Sequence, residues 1–486
     1  MQDIIIIGAG VVGCALAREL SFCEADITVV DMGSDAAEGA SKANSGIVHA
    51  GFDAHPGTDK ARFNVMGAAM YPALCAELGV PYRQNGAMVL AFSEDDRATI
   101  LRLKEQGEQN GVPGLRVIER EEIRALEPNV SPEAVCALLA PTSGIVSPYE
   151  LTFALADHAA VNGVRFAFDT KVESIRRTEE GWMLSTSRGD MACRTLINCA
   201  GVGSAEIHRM MTGRDEDRII SRRGQYWILD HAKPEPFTRT MFQCPTKMGK
   251  GVLVAPTVHG NVLLGPTAED IDDPLDTATT AKGLSDVLAA CRLTWPQVST
   301  RSAVTNFSGI RAHEARGEFI IGPVEGAKNA WETVGIESPG LTSAPAIAAE
   351  LARAIAEAEG LKYKADIVPA PKPPKPFNEM TPEEQAAACA ADPLNGRLIC
   401  RCEVVTEAEI RAAIHRPVGA RSIDAIKRRT RAGMGRCQGG FCAPRVAEIL
   451  AEELGLPITA ITKNGGQSLM LTSTLAEAMK EAESHE

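Results

Sequence analysis

The sequence predicts an α/β fold: a mostly parallel sheet at the front of the chain, a mostly antiparallel β domain interleaved with it, and a small helical domain at the C-terminus. Three observations carry that expectation. The first thirty-one residues run strand, glycine turn, helix, strand, acid; residues 220–308 read as mostly β; and four cysteines gather behind a proline-dense segment late in the chain.

Ile4-Ile5-Ile6-Ile7 is a β-branched run, long enough for a buried parallel strand and far too short to span a bilayer. Gly8-Ala9-Gly10-Val11-Val12-Gly13 follows, then Cys14 to Leu20 with Leu16 and Leu20 at helical spacing, then a second apolar run, Ile27 to Val30, closed by Asp31. Each part has a physical job. Gly8 allows the tight turn, Gly10 lets backbone approach a pyrophosphate, and Gly13 lets the helix pack closely on the strand; the helix N-terminus attracts the diphosphate, and Asp31 accepts bonds from ribose hydroxyls. A bare glycine fingerprint is weak evidence, but in this strand-helix-strand-acid frame it marks a Rossmann-like dinucleotide site. The pattern does not separate FAD from NAD, since both present an adenosine diphosphate. No second G-x-G-x-x-G occurs, so the chain holds one such site.

Gly39 to Gly51 is rich in small residues and contains one histidine, His49; small side chains let backbone lie flat against a planar ring system. Strand-like Ala87 to Phe92, helical Asp95 to Asn110 and helical Tyr149 to Asn162 lead to strands Gly163 to Phe168 and Trp182 to Thr186. Arg194 to Gly201 is then a buried strand ending in small residues, the kind of end that meets a ligand in an open α/β sheet. Between residues 220 and 308 the strand-like segments are Gln225 to Leu229, Gly251 to Pro256 and Val262 to Gly265, with a helix near Thr280 to Leu293. Gly335 to Thr342 opens a helix over Ser343 to Ala358, a second helix N-terminus able to meet an anion or a carbonyl. Pro369 to Pro376 is too proline-dense for helix or central strand and reads as an extended spacer. Beyond it lie a compact block to about Leu456 and a tail with helical character from Thr474 to Glu483.

Composition narrows the function. Of 486 residues, 50 are Lys or Arg and 63 Asp or Glu, a net charge of −13 that makes nucleic acid a poor partner. No signal peptide is expected, and no apolar run approaches the length of a membrane helix. Thirteen cysteines without a secretory signal point to a reducing compartment, hence the cytoplasm, with any membrane association peripheral to the inner face through a partner.

Four of those cysteines form two close pairs, Cys400-Arg401-Cys402 and Cys437-Gln438-Gly439-Gly440-Phe441-Cys442. Two thiolate pairs on glycine-lined loops can wrap four-coordinate iron or zinc. The single spacer in the first pair argues against structural zinc, which prefers two or more; four thiolates are the usual set of a [2Fe–2S] centre, and Arg401 and Arg436 would offset its negative charge. Unmetallated pairs are the third alternative. The other nine, Cys14, Cys23, Cys75, Cys136, Cys193, Cys199, Cys244, Cys291 and Cys389, read as core filler.

With these motifs, the Ala43-to-Gly51 loop, Gly309-Ile310-Arg311 and Gly340-Leu341-Thr342-Ser343-Ala344-Pro345 in view, residues 1 to about 365 resemble the D-amino-acid-oxidase-type flavoprotein superfamily. Within it they most resemble the FAD-dependent glycerol-3-phosphate dehydrogenase branch. The relative that oxidises L-2-hydroxyglutarate carries a very similar His-Ala-Gly loop. The cysteine quartet with Gln438-Gly439 is similar to the bacterioferritin-associated-ferredoxin-like [2Fe–2S] module, with Cys400, Cys402, Cys437 and Cys442 as ligands. The resemblance implies an FAD-binding domain of residues 1–80, 145–219 and 310–365, a substrate or cap domain of 81–144 and 220–309, a Pro-rich linker of 366–396, a [2Fe–2S] domain of 397–456 and a tail of 457–486. FAD would lie along Gly8, Ala9, Gly10, Val12, Gly13, Asp31, Met32, Ala43, Asn44, Ser45, Gly46, Val172, Ala200, Gly201, Gly309, Gly335, Gly340, Leu341 and Thr342, with the isoalloxazine beside His49. Arg311 would face the substrate, and Arg316 would match a second phosphate-gripping arginine. From the residues themselves, Lys247 reads as part of a solvated turn, with contact to an anionic substrate as the alternative.

Oxidising a secondary alcohol requires hydride to leave carbon for flavin while a base takes the hydroxyl proton. His49 suits that base, with a hydrogen-bonding role as the alternative. Arg311 could clamp phosphate or carboxylate with its fork, or be an ion pair with Glu314 or Glu318. Arg222 and Arg223 read as surface charge or packing. The expected function is FAD-dependent oxidation of sn-glycerol 3-phosphate to dihydroxyacetone phosphate, with electrons relayed through a [2Fe–2S] cluster to a second redox protein or flavoprotein subunit. The alternatives are a dehydrogenase of L-2-hydroxyglutarate or another 2-hydroxy acid, and a non-catalytic electron-transfer subunit.

Overall fold

The isoleucine run lies inside an eight-stranded sheet whose path runs Val172–Arg177, Trp182–Thr186, Gly189–Asn198, Gln2–Ile7, Ile27–Val30 and Arg165–Ala167; Ala330–Val334 also pairs with Gly189–Asn198 and carries Ile320–Pro323 on its other side. The computed structural model describes residues 1–245, 251–476, 478 and 479. Gln2–Ile7 pairs in parallel with Ile27–Val30 on one side and Gly189–Asn198 on the other, Ile5 opposite Thr28 and Leu196. A strand walled in by neighbours and covered on both faces has no use for polar alternation, which is why Ile4, Ile5 and Ile6 read as one apolar run and are all buried. The helix after the glycine turn, Val11–Leu20, packs on Pro148–Val161 and Gly340–Glu359.

A second, nine-stranded sheet is antiparallel except where Thr240–Gln243 runs parallel to Ala87–Ala91. Its longest pairing joins Ile219–Leu229 to Ala303–Glu314 and sets Gly224 opposite Gly309 and Arg222 opposite Arg311. Strands from 87–140 and from 219–314 therefore build one sheet although helix Pro148–Val161 and four strands of the first sheet separate them in sequence.

Helices form over Glu94–Gln109, Pro148–Val161, Ala281–Thr294 and Gly340–Glu359, each within a few residues of the sequence expectation. The twenty-residue helix Asp59–Leu78 was not expected. Its buried positions Ala61, Phe63, Asn64, Gly67, Tyr71, Leu74, Cys75 and Leu78 lie along one stripe, but several are small or polar, and Pro72 on the exposed side breaks the helical signal. Thr58 caps its start by accepting from Ala61 N–H, and Gly79 ends it in the left-handed conformation.

The chain divides into two compact units, Met1–Val30 with Ala36–Pro371, and Asp31–Asp35 with Lys372–Glu486. The second unit has helices Glu407–Ile414, Ile423–Thr430 and Ala443–Leu454 around a core that includes Ile410, Ile414, Ile426, Ile449 and Leu450. Within the 366–396 stretch read as spacer, Pro382–Ala391 is helical. Its Thr381-Pro-Glu-Glu start is a capping box in which Thr381 and Glu384 satisfy each other's backbone N–H, with proline at the position that tolerates it. The expected tail helix reaches past the described residues. Among those residues no helix is long and apolar enough to cross a membrane.

Candidate functional site

Gly8 has φ +110°, and a Cβ there would stand 2.3 Å from the Cys199 carbonyl oxygen; one at Gly13 would stand 1.9 Å from the Gly8 carbonyl oxygen. The two positions thus let strand Gln2–Ile7, its helix and the end of Gly189–Asn198 close on one another. Gly10 is the N-cap of Val11–Leu20, extended and without a side-chain cap. Ser41 Oγ accepts from Val11 N–H at 2.8 Å, drawing the small-residue loop over the helix start. The Val12 and Gly13 amides, which no helix can bond internally, point along the axis with the positive end of the helix dipole. A diphosphate fits this cradle. Asp31 accepts from Gly33 N–H at 2.7 Å, and the neighbouring Met32 is exposed.

The small-residue loop is fixed by its own bonds. Asn44 Oδ1 accepts from Gly46 N–H at 2.8 Å, and a Cβ at Gly309 would stand 1.9 Å from the Ala43 carbonyl oxygen, so strand Ala303–Glu314 lies directly on the loop. Gly46 has φ +65°, a Cβ there would stand 2.6 Å from the Val146 carbonyl oxygen, and its own carbonyl accepts from Val146 N–H at 2.8 Å, next to the antiparallel pair of Ile47–Val48 with Gly144–Val146. His49 is then clamped from both sides. Its N–H donates to Thr342 Oγ1 at 3.0 Å, and its carbonyl accepts from Asn64 Nδ2 at 2.6 Å. Thr342 in turn donates to the Ile47 carbonyl, and the Tyr71 hydroxyl holds the Leu341 carbonyl at 2.5 Å. Gly67 makes the clamp possible, because a Cβ there would meet the Thr342 carbonyl oxygen at 2.0 Å. The half-buried imidazole packs against Phe242 with ring centroids 5.8 Å apart.

Arg311 is half-buried, and its only hydrogen bond among the described residues runs from Nη2 to the Thr267 carbonyl at 3.2 Å. Gly224, diagonally across on the neighbouring strand, leaves room for the guanidinium: a Cβ would lie 2.5 Å from Nη2. The alternative partner Glu314 points to the other face of the strand and binds Arg316 instead, at 3.0 Å. Arg316 also reaches Asp217 at 2.6 Å, so its guanidinium is committed to two carboxylates. Lys247 lies outside the described residues. Arg222 pairs with Asp270, and buried Arg223 with Glu269 and Asp276, so both arginines serve the sheet.

Three residues that sequence reasoning missed stand together near this strand. Glu337 Oε1 accepts from Lys60 Nζ at 2.9 Å and lies 2.8 Å from His313 Nδ1. Burial opposes ionisation of Glu337, but the lysine and histidine prevail and hold its carboxyl below the usual range. His313 is two residues past Arg311 on one strand and therefore shares its face, a period-2 signal visible in the sequence. Lys60 and Glu337 are 277 residues apart and had none.

Ala200 N–H is held by Asn198 Oδ1 at 3.2 Å, and Gly201 takes φ +57° as the chain turns from the sheet into helix Ser204–Thr212. Val172 is buried at the start of its strand. Gly335 has φ +71° against the Glu314 side chain, and Gly340 begins helix Gly340–Glu359 with its Cβ position against Ile336.

In the second unit the quartet converges. Cys400 and Cys402 sulfurs are 3.7 Å apart, and Cys402 and Cys437 sulfurs 4.0 Å. Metal–thiolate bonds of about 2.3 Å at a tetrahedral centre set sulfurs about 3.8 Å apart, so the Cys400–Cys402 spacing suits two thiolates on one metal atom, and the Cys402–Cys437 approach brings the second pair beside the first. Hydrogen bonding from Cys442, with backbone N–H groups of Gly433 and Glu403, holds Cys400 toward thiolate, and Phe441 and Gly439 N–H groups do the same for Cys437. Gly433 and Gly439 have φ +92° and +89°, and Gln438 +47°, backbone that is costly for a non-glycine and persists where a loop must wrap something. A Cβ at Gly435 would stand 2.6 Å from Cys402 Sγ. Of the other nine cysteines seven are buried, and Cys75, Cys193, Cys199 and Cys291 have thiols pushed up to about 12 by burial, as inert filler should.

Comparison with known proteins agrees with both halves of this geometry. Residues 3–354 match the model of the FAD dependent oxidoreductase family, and residues 398–452 that of the BFD-like [2Fe-2S] binding domain. The chain is 44% identical over 473 residues to a glycerol 3-phosphate dehydrogenase of Caloramator mitchellensis, covering 97% of this chain and 98% of that protein. It is 29% identical over 400 residues to the mitochondrial L-2-hydroxyglutarate dehydrogenase of Arabidopsis thaliana, covering 72% and 82%. Among solved structures it is similar to the dithionite-reduced L-alpha-glycerophosphate oxidase of Mycoplasma pneumoniae with FAD bound, with a TM-score of 0.70, 29% identity, and 75% of this chain and 97% of that one covered.

Proposed function

The chain belongs to the FAD dependent oxidoreductase family and carries a C-terminal [2Fe–2S] domain, and on that premise we propose that it oxidises sn-glycerol 3-phosphate to dihydroxyacetone phosphate and delivers the electrons singly to a second redox protein. The observation that carries the substrate reading is Arg311, a guanidinium in a space kept open by Gly224 and without a carboxylate partner among the described residues. Side chains in that state suit an anionic ligand, because the fork offers two parallel charge-assisted bonds to phosphate or carboxylate.

Bound FAD supplies the two-electron acceptor for the hydride, and a bound cluster supplies the one-electron centre a protein acceptor needs. The rest falls to the chain. Gly8, Gly10 and Gly13 with the helix N-terminus seat the diphosphate; Ala43 to Gly46, Gly309 and Gly340 to Thr342 line the ring's path. The Thr342 and Asn64 clamp fixes the backbone of His49, so that the imidazole can take the substrate hydroxyl proton from one orientation. Arg311 holds the anionic end; Arg316, committed to Glu314 and Asp217, supports the loop behind it. Cys400, Cys402, Cys437 and Cys442 would hold the cluster.

A second reading, oxidation of L-2-hydroxyglutarate or a similar 2-hydroxy acid, is favoured by the Arabidopsis relative and by the ability of the same arginine to grip a carboxylate. An anaerobic substrate panel read by flavin absorbance separates them: bleaching by glycerol 3-phosphate at low concentration supports the first, bleaching only by hydroxy acids the second. No bleaching by either would leave an electron-transfer subunit.

A further inference from the structure

The two loops that carry the cysteine quartet, 400–403 and 431–442, show a surface at odds with the rest of an acidic chain. Phe441 is 84% exposed, more than any other exposed large hydrophobic among the described residues. Its backbone N–H is engaged by Cys437, so the segment is held while the ring is presented to solvent. Arg401, between the first two cysteines, and Arg436, before the third, are exposed as well, and so is Cys402 itself. The one acid in these loops, Glu403, is 5% exposed and bonded to Arg431 at 2.8 Å, which removes it from the surface. The two cysteine loops of a chain of net charge −13 thus expose an aromatic ring and two arginines, with no exposed acid of their own, on the segments that hold the thiolate site.

We propose that this face is the docking surface for an acidic protein that accepts one electron, with Phe441 as its aromatic anchor and Arg401 and Arg436 as steering charges. The inference rests on the relay described above and adds where the acceptor binds and what charge it carries. Aromatic residues and arginine are the side chains that anchor interfaces, and opposite charge speeds encounter and selects the partner. One electron passes to the acceptor's haem or metal centre; no bond forms or breaks and no proton is required. Docking over Cys402 also brings that centre to the thiolate edge.

The test uses the cluster-loaded full chain and two haem proteins of opposite charge as probes, acidic cytochrome b5 and basic cytochrome c, with binding read by surface plasmon resonance. Cytochrome b5 should bind and cytochrome c should not. Affinity for cytochrome b5 should fall at least about tenfold from 0.01 M to 1 M salt, as the Debye length shrinks from about 30 Å to 3 Å. Arg401→Glu with Arg436→Glu should weaken it about tenfold, and Phe441→Ser several-fold, in preparations whose visible and EPR spectra show an intact cluster. Binding that ignores salt and both variants would overturn the proposal. So would sedimentation showing that Phe441→Ser splits a dimer, since the face would then belong to a second copy. Glycerol 3-phosphate takes no part in the binding assay, so failure of the substrate panel leaves this result standing and the two readings fail separately.

Discussion

Replacing Arg311 by alanine removes a side chain whose one internal bond is to the Thr267 carbonyl and whose loss strands no buried carboxylate. Folding should therefore be almost untouched, and the melting temperature and FAD content should match the parent protein. Binding is different. Two charge-assisted hydrogen bonds to a substrate phosphate, each worth about 1.5–3 kcal/mol, sum to about 3–6 kcal/mol, or a factor of about 10² to 10⁴ in kcat/KM. Most of it should appear in KM, because the phosphate is remote from the reacting carbon and is held alike in ground and transition states. Arg311→Lys keeps the charge and loses the fork, so it should fall between. The assay is anaerobic flavin reduction by glycerol 3-phosphate, with saturation resolved. A loss in kcat/KM below about threefold would refute the substrate role, since it is less than one such bond is worth. Loss of FAD instead would show that Arg311 serves the cofactor.

Gly67→Ala drives a methyl to 2.0 Å from the Thr342 carbonyl oxygen, so helices Asp59–Leu78 and Gly340–Glu359 must part by more than an ångström. The expected cost is about 1–3 kcal/mol in stability by denaturant melt, and about 10²-fold in flavin reduction because Thr342 positions His49. Gly435→Ala places a methyl 2.6 Å from Cys402 Sγ and should abolish cluster incorporation, seen as loss of iron and sulfide, while FAD stays bound. Buried His208 lies 2.8 Å from Glu332 and 3.4 Å from Asp217, and although burial opposes its charge, these carboxylates raise its pKa above 6.5; burial raises that of Glu332 as well. Both groups bind protons more tightly folded than unfolded, so stability is greatest on the acid side and falls as pH rises through the raised values. Melting temperature should drop from pH 6 to pH 8, and His208→Gln should flatten that slope.

The fingerprint and the quartet were legible because each is compact in sequence: the Ile4 run with its glycine turn spans one strand-helix-strand unit, and the four cysteines sit in two close pairs. The clamp on His49 was not. Asn64, Gly67 and Tyr71 occupy the buried stripe of Asp59–Leu78 for the sake of a carbonyl, a close approach and a hydroxyl bond, and these roles carry little of the apolar signal that periodicity detects. Lys60 and Glu337 meet only because the fold brings a helix start against the loop before Gly340. The helix Pro382–Ala391 was hidden for the opposite reason: prolines on its approach suggested a spacer, while the Thr381 capping box in plain view announced a start. Arg316 illustrates a further gap, since nothing in the local sequence shows that Asp217, 99 residues away, claims its guanidinium.

Substrate electrons that enter at the flavin should reach the thiolate-bound cluster of the same chain, and the whole relay stands or falls on that transfer. Freezing the anaerobic protein shortly after adding glycerol 3-phosphate, and recording its EPR spectrum beside its flavin absorbance, follows it at both ends. One substrate supplies two electrons, so the signal of a one-electron-reduced [2Fe–2S] cluster is expected together with a half-reduced flavin; in Cys437→Ser the cluster signal should be missing and the flavin should bleach fully. A bleached flavin beside a cluster that stays oxidised, yet can be reduced by dithionite, would mean that the two centres are not connected.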